Sequence, residues 1–159
     1  MILTEKIYKD TILIPLKGNS RAEVIQELLD KLLELKYLTS TTKLFSFIDA
    51  IESESSSATG RGVAFPHSIS KEINSLVCIL GISENGILYG ENDVHPCHII
   101  LLSLSPIDKT NIHRKFISRF RLSRAFTNNE PSPYNLLTFF SFATCWEDNF
   151  LLAKCVNPS

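Results

Sequence analysis

Residues 59–67 read Thr-Gly-Arg-Gly-Val-Ala-Phe-Pro-His, and this stretch is the most informative part of the chain for fold and chemistry. Two glycines free the backbone, a short apolar run follows, and Pro66 fixes φ immediately before His67. A histidine presented at such a chain bend can act as a nucleophile, because a neutral ring nitrogen is abundant near pH 7. The plainer interpretation is a strand end and a turn that leave the imidazole partly exposed.

The composition of the chain is that of one ordinary globular domain, expected over residues 1–159. With 159 residues, 44% of them hydrophobic and 21% charged, the chain can bury a substantial core. A net charge of −1 gives no indication of nucleic acid or an anionic membrane surface as a partner. Neither an apolar run of about 20 residues nor a signal-peptide h-region is present. We therefore expect a cytoplasmic protein without membrane insertion.

The first half of the chain predicts one strand and two helices. Residues 11–16 indicate a short edge strand, since the proline within them cannot donate to a ladder. Ser20 and Glu23 form a capping box before apolar residues at helical spacing, so a helix is expected up to about residue 35. A second helix is expected to begin at Thr41 or Thr42 and to place its apolar side chains inward.

A small, polar segment, residues 52–58, leads from the second helix into the glycine stretch. Its sequence is Glu-Ser-Glu-Ser-Ser-Ser-Ala, a composition typical of flexible loops. We expect a mobile loop that leads to His67 and leaves Glu52 and Glu54 in solvent. Such a loop suits a site that must meet partners, although a plain surface loop explains the same residues.

The second half of the chain predicts more strands followed by helices. The expected strands cover residues 75–81, 86–89 and 97–103, and the expected helices cover residues 109–124, a segment after Pro133 and residues 144–152. The third strand is a nearly continuous apolar run, which indicates a buried central position. This order of elements favours a sheet covered by helices.

Nearly the whole chain resembles the fructose/mannitol-type (type 2) enzyme IIA domain of the bacterial phosphotransferase system, including its free-standing nitrogen-regulatory members. The resemblance rests on the Gly-Arg-Gly-Val-Ala-Phe-Pro-His stretch, the capped helix at Ser20, the helix at Thr42, the Asp93-x-x-Pro96 turn and the His113 helix. It implies an α/β fold with a single domain, in which a mixed β-sheet is flanked by helices on both faces.

The resemblance also implies a phosphoryl carrier with a phosphohistidine intermediate. His67 would accept the phosphoryl group from a histidine-containing phosphocarrier protein and pass it to a IIB subunit or use it as a regulatory signal. His113 would be the second active-site histidine and would stabilise the phosphoryl group. Gly60, Arg61 and Gly62 are candidates to bind phosphate. Taken alone, the position of His113 at the edge of a buried stripe favours a boundary histidine that caps or packs.

The chain departs from the family pattern at the end of the second helix, where the family usually carries an Arg-Glu pair. Glu52 is the counterpart of the glutamate, but Ile51 or Ser53 stands at the place of the arginine. Arg61 is a candidate for a cation from another backbone position. The alternative function is therefore a non-catalytic, regulatory protein-interaction module on the same fold.

Two further patterns concern cysteine and metal chemistry. The four cysteines, Cys78, Cys97, Cys145 and Cys155, are widely spaced without a C-x-x-C pair, so free buried thiols are expected. His95 and His98 flank a proline and Cys97, which makes a metal-dependent hydrolase a third hypothesis. Strand alternation places positions 95 and 98 on opposite sides, so we expect no metal site. We also expect no cofactor.

Overall fold

The computed structural model describes residues 7–59, 62–90, 95–109 and 111–122. In chain order its helices and strands are β1 (Ile12–Leu13), α1 (Arg21–Glu34), α2 (Thr42–Glu54), β2 (Val63–Ala64), β3 (His67–Ser70), β4 (Val77–Ile87), β5 (Cys97–Pro106) and α3 (Asn111–Leu122). The two helices predicted beyond residue 131 lie outside the described residues, as do Cys145 and Cys155. The extent of the domain over residues 1–159 stays a prediction.

The five strands form one mixed sheet centred on β4 and β5. These two pair antiparallel, β1 joins β4 in parallel, and both β2 and β3 pair parallel with β5. The near-continuous apolar run predicted to be a central strand is β5, which is confirmed. The predicted edge strand is also confirmed at β1, although its ladder is only two residues long.

Helices cover both faces of this sheet, as predicted. On one face α1 and α2 pack against alternate side chains of β4 and β5, in a core that includes Leu28, Ile48, Ile79, Ile100 and Leu102. On the other face α3 contributes Phe116 to a second core with Val63, Phe65, Leu80, Ile99 and Leu101. The alternation along β5 divides these two cores, because successive strand residues point to opposite faces.

The N-terminus of α1 confirms the predicted cap but only half of the capping box. The Ser20 hydroxyl accepts a hydrogen bond from the Glu23 backbone N–H at 3.3 Å. The Glu23 carboxylate accepts from the backbone N–H of Asn19 at 2.7 Å instead of that of Ser20. The side chain therefore stabilises the residue before the cap, and the helix still begins where the sequence predicts.

Two other sequence predictions are wrong in detail. The strands predicted over residues 75–81 and 86–89 are one element, β4, in which the register shifts between Ile82 and Ile87. Gly86 has φ +72°, so the irregularity places a glycine where other residues would be strained. In addition, residues 52–54 belong to α2 and not to a loop, and Glu52 is buried.

The last turn of α2 is held by α1, which explains why the polar composition of this segment misleads. Arg21 Nη2 donates to the Asp49 carboxylate at 3.1 Å and to the Ser53 hydroxyl at 2.7 Å, while Nη1 donates to the Glu52 carbonyl at 3.4 Å. These contacts join residues about thirty positions apart. Local propensity is therefore overridden by tertiary contact. Among the described residues, no helix is long and apolar enough to span a membrane.

Candidate functional site

His67 is the first residue of β3, and its side chain is exposed. The pairing of Val63 with Ile99 and of His67 with Ser103 shows that β2 and β3 follow β5 in a single register. The histidine therefore lies on an extended segment and not at the bend that the Pro66-His67 sequence predicts. Its exposure agrees with the expectation of a side chain that can reach solvent.

The imidazole of His67 is oriented by a backbone carbonyl. Nδ1 lies 3.3 Å from the carbonyl oxygen of Phe65. A carbonyl oxygen can only accept a hydrogen bond, so this contact requires a proton on Nδ1. In the neutral ring Nε2 then carries the lone pair, which is the state that a nucleophile needs. The sequence requires an acceptor for the second ring nitrogen without identifying it, and the structure identifies the Phe65 carbonyl.

Phe65 is in turn held by the segment that follows α2. The Ser57 hydroxyl accepts a hydrogen bond from the Phe65 backbone N–H at 3.1 Å. The backbone N–H of Ser57 donates to the Glu52 carboxylate at 2.9 Å. A continuous series of contacts therefore runs from the buried end of α2 to His67. Neither Ser57 nor a buried Glu52 was expected from the sequence.

Glu52 is a buried carboxyl group close to the histidine. Burial raises the pKa of Glu52 above its ordinary value, while hydrogen bonds from the Ser57 backbone and side chain act in the opposite direction. Smaller contributions from His67 and then Arg21 also favour the charged carboxylate. The Glu52 carboxyl and the His67 imidazole are therefore close enough to interact electrostatically.

Tyr89 borders the same group of polar side chains and is almost completely buried. Burial raises the pKa of Tyr89 well above its usual value, and the neighbouring Glu52 carboxyl raises it further. Ser57 lies close enough to lower this pKa slightly, although the Tyr89 hydroxyl makes no hydrogen bond of good geometry within the described ranges. Tyr89 is therefore a neutral phenol at physiological pH.

Comparisons with known proteins give the family. A family model described as "Phosphoenolpyruvate-dependent sugar phosphotransferase system, EIIA 2" matches residues 5–132. The chain belongs to this EIIA family. The sequence resemblance is thereby confirmed.

Solved structures of EIIA proteins share the fold. The nitrogen regulatory protein IIA-Ntr of Neisseria meningitidis has a TM-score of 0.67 and 19% identity, covering 84% of this chain and 97% of that one. The mannitol IIA of Escherichia coli has a TM-score of 0.64 and 14% identity, covering 84% and 97%. A complex of the E. coli mannitol IIA with phosphorylated IIB gives a TM-score of 0.63 and 15% identity, covering 86% and 98%.

A curated relative extends the comparison to sequence. The fructose-specific EIIABC component of Bacillus subtilis (strain 168) is 27% identical over 119 residues, which is 75% of this chain. These residues are 19% of the relative, so the chain spans about a fifth of that protein's length. The chain is thus similar to one part of a larger EIIABC component.

Arg21 on α1 places a cation beside the end of α2. Ile51 and Ser53 are the residues at the expected place of the arginine, and the Ser53 hydroxyl accepts a hydrogen bond from Arg21. Arg21 also contributes to the electrostatics of Glu52 and Tyr89. Periodicity could not identify it, since only the folded packing of α1 on α2 brings residue 21 to residues 49–53.

Among the remaining predicted site residues, some lie outside the residues that the structure describes. Gly62 has φ +75°, and its carbonyl accepts from the backbone N–H groups of His98 at 2.8 Å and Ile99 at 3.1 Å. This glycine therefore serves the backbone turn into β2. Gly60 and Arg61 lie outside the described residues. His113 belongs to α3, but its side chain is not described, so its approach to His67 stays a prediction.

The residues considered for a metal site have other surroundings. His95 is exposed, Cys97 is buried, and Nδ1 of His98 lies 3.0 Å from the Ser83 carbonyl. Within the described part of the chain, no three or more His, Cys, Asp or Glu side chains form a group that could hold a metal ion. Cys78 and Cys97 are both buried and free of disulfides, as predicted.

Proposed function

We propose that this protein accepts a phosphoryl group on Nε2 of His67 and passes it to a second protein. The observation that carries the proposal is the contact of Nδ1 with the Phe65 carbonyl on an exposed ring. This contact keeps the proton on Nδ1 and leaves the lone pair on Nε2. Membership of the EIIA family supports a phosphocarrier role but does not by itself identify the residue.

The transfer step balances without any cofactor. The Nε2 lone pair of His67 attacks phosphorus, the bond from phosphorus to the donor's ring nitrogen breaks, and its electron pair returns to that nitrogen. Nδ1 keeps its proton throughout and donates it in a hydrogen bond to the Phe65 carbonyl oxygen. The onward step repeats the same exchange, with the acceptor's nucleophile in place of His67. Catalysis then depends on positioning and on stabilising charge over three phosphoryl oxygens.

We assign that charge stabilisation to groups around His67. His113 would donate to phosphoryl oxygens from α3, and Gly60, Arg61 and Gly62 would bind phosphate at the loop before β2. α3 packs on the same sheet face as Phe65 through Phe116, which supports the expected neighbourhood of His113 and His67.

The expected partners are proteins in the cytoplasm. A histidine-containing phosphocarrier protein is the donor, and a IIB subunit or a regulated protein is the acceptor. The complex of the E. coli mannitol IIA with phosphorylated IIB supports an acceptor of the IIB type. Neither a nucleic acid nor membrane insertion is part of this proposal.

Labelling with the phosphorylated donor protein tests the proposal. We expect acid-labile label on the wild type and none on His67→Ala. His95→Ala is the matched control, because His95 is also exposed but lies outside the contacts described above. Label that persists in His67→Ala would contradict the assignment of the acceptor. Phosphohistidine mapping then distinguishes Nε2 from Nδ1.

The second candidate function is a regulatory interaction module that has lost phosphotransfer. The observation that favours it is the presence of Ile51 and Ser53 where the family carries arginine. Absence of label on the folded wild-type protein, with a donor that labels another EIIA protein, would support this function over the carrier.

A further inference from the structure

The backbone before His67 is held by an unusual ladder with the segment that follows α2. Residues 57–59 run antiparallel to residues 63–65: Thr59 N–H donates to the Val63 carbonyl at 2.9 Å, and Ala58 bridges Ala64. At the next position a side chain takes the place of a backbone acceptor, because the Ser57 hydroxyl receives the Phe65 N–H. The ladder therefore ends on a serine.

We propose that Ser57 is a positioning residue for His67, which rests on the proposed role of His67 as phosphoryl acceptor. The Ser57 hydroxyl fixes Phe65, and the Phe65 carbonyl fixes the proton of His67 on Nδ1. Glu52 fixes Ser57 by accepting its backbone N–H at 2.9 Å. Ser57 thus determines which ring nitrogen is available, without touching the phosphoryl group.

The neighbouring proline reduces the number of backbone hydrogen bonds that can hold this segment. Pro66 has no N–H, so the backbone between Phe65 and His67 offers no donor of its own to the sheet. The Pro66 carbonyl accepts from Ser103 N–H at 3.1 Å, which holds the far side of the same segment. Without the Ser57 hydroxyl, this hydrogen bond of the Phe65 N–H is lost and the Phe65 carbonyl is less well aligned with Nδ1.

The structure also explains why a hydroxyl is suited to this place. Ser57 accepts from Phe65 through Oγ, while its own backbone N–H and side chain both interact with the buried Glu52 carboxyl. An alanine keeps the backbone contact with Glu52 but removes the acceptor for Phe65. A threonine keeps both, so Ser57→Ala and Ser57→Thr separate the hydroxyl from the backbone.

The experiment measures the tautomer of His67 by two-bond 1H–15N NMR correlation in the absence of any phosphoryl donor. We expect the Nδ1–H tautomer to predominate in the wild type and the Nε2–H tautomer to gain population in Ser57→Ala. Ser57→Thr should restore the wild-type spectrum. Ser56→Ala is the matched control, since the Ser56 hydroxyl accepts from Ala58 N–H at 3.2 Å and does not contact Phe65.

A kinetic measurement gives the second readout. The initial rate of labelling by the phosphorylated donor should fall about three- to tenfold in Ser57→Ala, the effect of one hydrogen bond, and recover in Ser57→Thr. The final amplitude of labelling should stay at the wild-type level in Ser57→Ala. A loss of folded protein alone would reduce this amplitude and leave the rate constant unchanged.

Each outcome decides the proposal. A wild-type His67 with the proton mainly on Nε2 would overturn it even if Ser57→Ala failed to fold. An unchanged tautomer in folded Ser57→Ala, or failure of Ser57→Thr to restore it, would also overturn it. If the tautomer responds as expected but the wild type takes no label, the positioning role stands and the proposed phosphoryl transfer fails.

Discussion

His67 and His98 lie on strands of the same sheet and make similar contacts, yet they differ in the accessibility of their rings. In each, Nδ1 faces a backbone carbonyl, that of Phe65 at 3.3 Å and that of Ser83 at 3.0 Å. His67 is exposed, whereas His98 is half-buried against Gly86, where a Cβ atom would lie 2.9 Å from its Nε2. The proposed reactivity of His67 therefore rests on the accessibility of its ring as well as on its Nδ1 contact.

The largest difference is expected between His67→Ala and His98→Ala in labelling by the phosphorylated donor. His67→Ala should take no label above background. His98→Ala should keep wild-type labelling and lose only about 1 kcal/mol of unfolding free energy, because one hydrogen bond is removed. Quantitative labelling and urea denaturation measure the two effects. Loss of label in a folded His98→Ala protein would contradict the distinction.

The packing of His98 is tested by Gly86→Ala. Gly86 has φ +72°, and an added Cβ would lie 2.7 Å from the Pro96 Cβ and 2.9 Å from the His98 ring. We expect a destabilisation of about 2–4 kcal/mol, from a left-handed backbone with a side chain and from the crowding. Urea denaturation measures it, with the exposed neighbour Asn85 replaced by alanine as the control. A loss below about 1 kcal/mol would show that the ring moves easily.

Arg21→Gln tests the contacts by which α1 holds the end of α2, and Lys31→Gln is the comparison. Arg21 contacts Asp49 at 3.1 Å and adds hydrogen bonds to the end of α2, whereas Lys31 forms a local pair with Glu34 at 2.9 Å. We expect Arg21→Gln to lower the unfolding free energy by about 1 kcal/mol and Lys31→Gln by a few tenths. Equal effects in thermal or urea unfolding would mean that the link between the helices stabilises the protein no more than the local Lys31–Glu34 pair does.

The layers of the fold could be predicted from sequence because they depend on local patterns. The apolar run of β5 and the capped, periodic sequence of α1 each indicate their structure without knowledge of the rest. The exposure of His67 was likewise expected from the sequence, although the bend expected at Pro66 was wrong. That the two strands predicted over residues 75–81 and 86–89 form a single strand, β4, could not be predicted, because a register shift depends on the partner strand.

The contacts that hold the segment before His67 could not be predicted, because they join distant parts of the chain. Arg21 meets Asp49 and Ser53 only after α1 packs on α2, and this contact keeps residues 52–54 helical in spite of their composition. Ser57 belongs to a serine-rich segment in which nothing local separates it from Ser56. Only the pairing of residues 57–59 with residues 63–65 gives it a distinct role.

The smallest expected effect concerns Glu52, whose carboxyl group lies near His67. The contacts described for His98 include no such carboxyl group. Burial raises the pKa of Glu52, so above the ordinary glutamate pKa the folded state retains a proton that the unfolded state has lost. The stability from this group is therefore present at low pH and falls as pH rises through the folded pKa. Glu52→Gln cannot titrate, but its amide oxygen can still accept from Ser57.

Unfolding free energies of Glu52→Gln between about pH 4 and about pH 7 should accordingly fall less with rising pH than those of the wild type. Glu54→Gln is the matched control, because Glu54 is exposed two residues further along α2. It should follow the wild-type curve. If Glu52→Gln and the wild type gave parallel curves, the carboxyl would have the same proton affinity in both states, and burial would not dominate at this position.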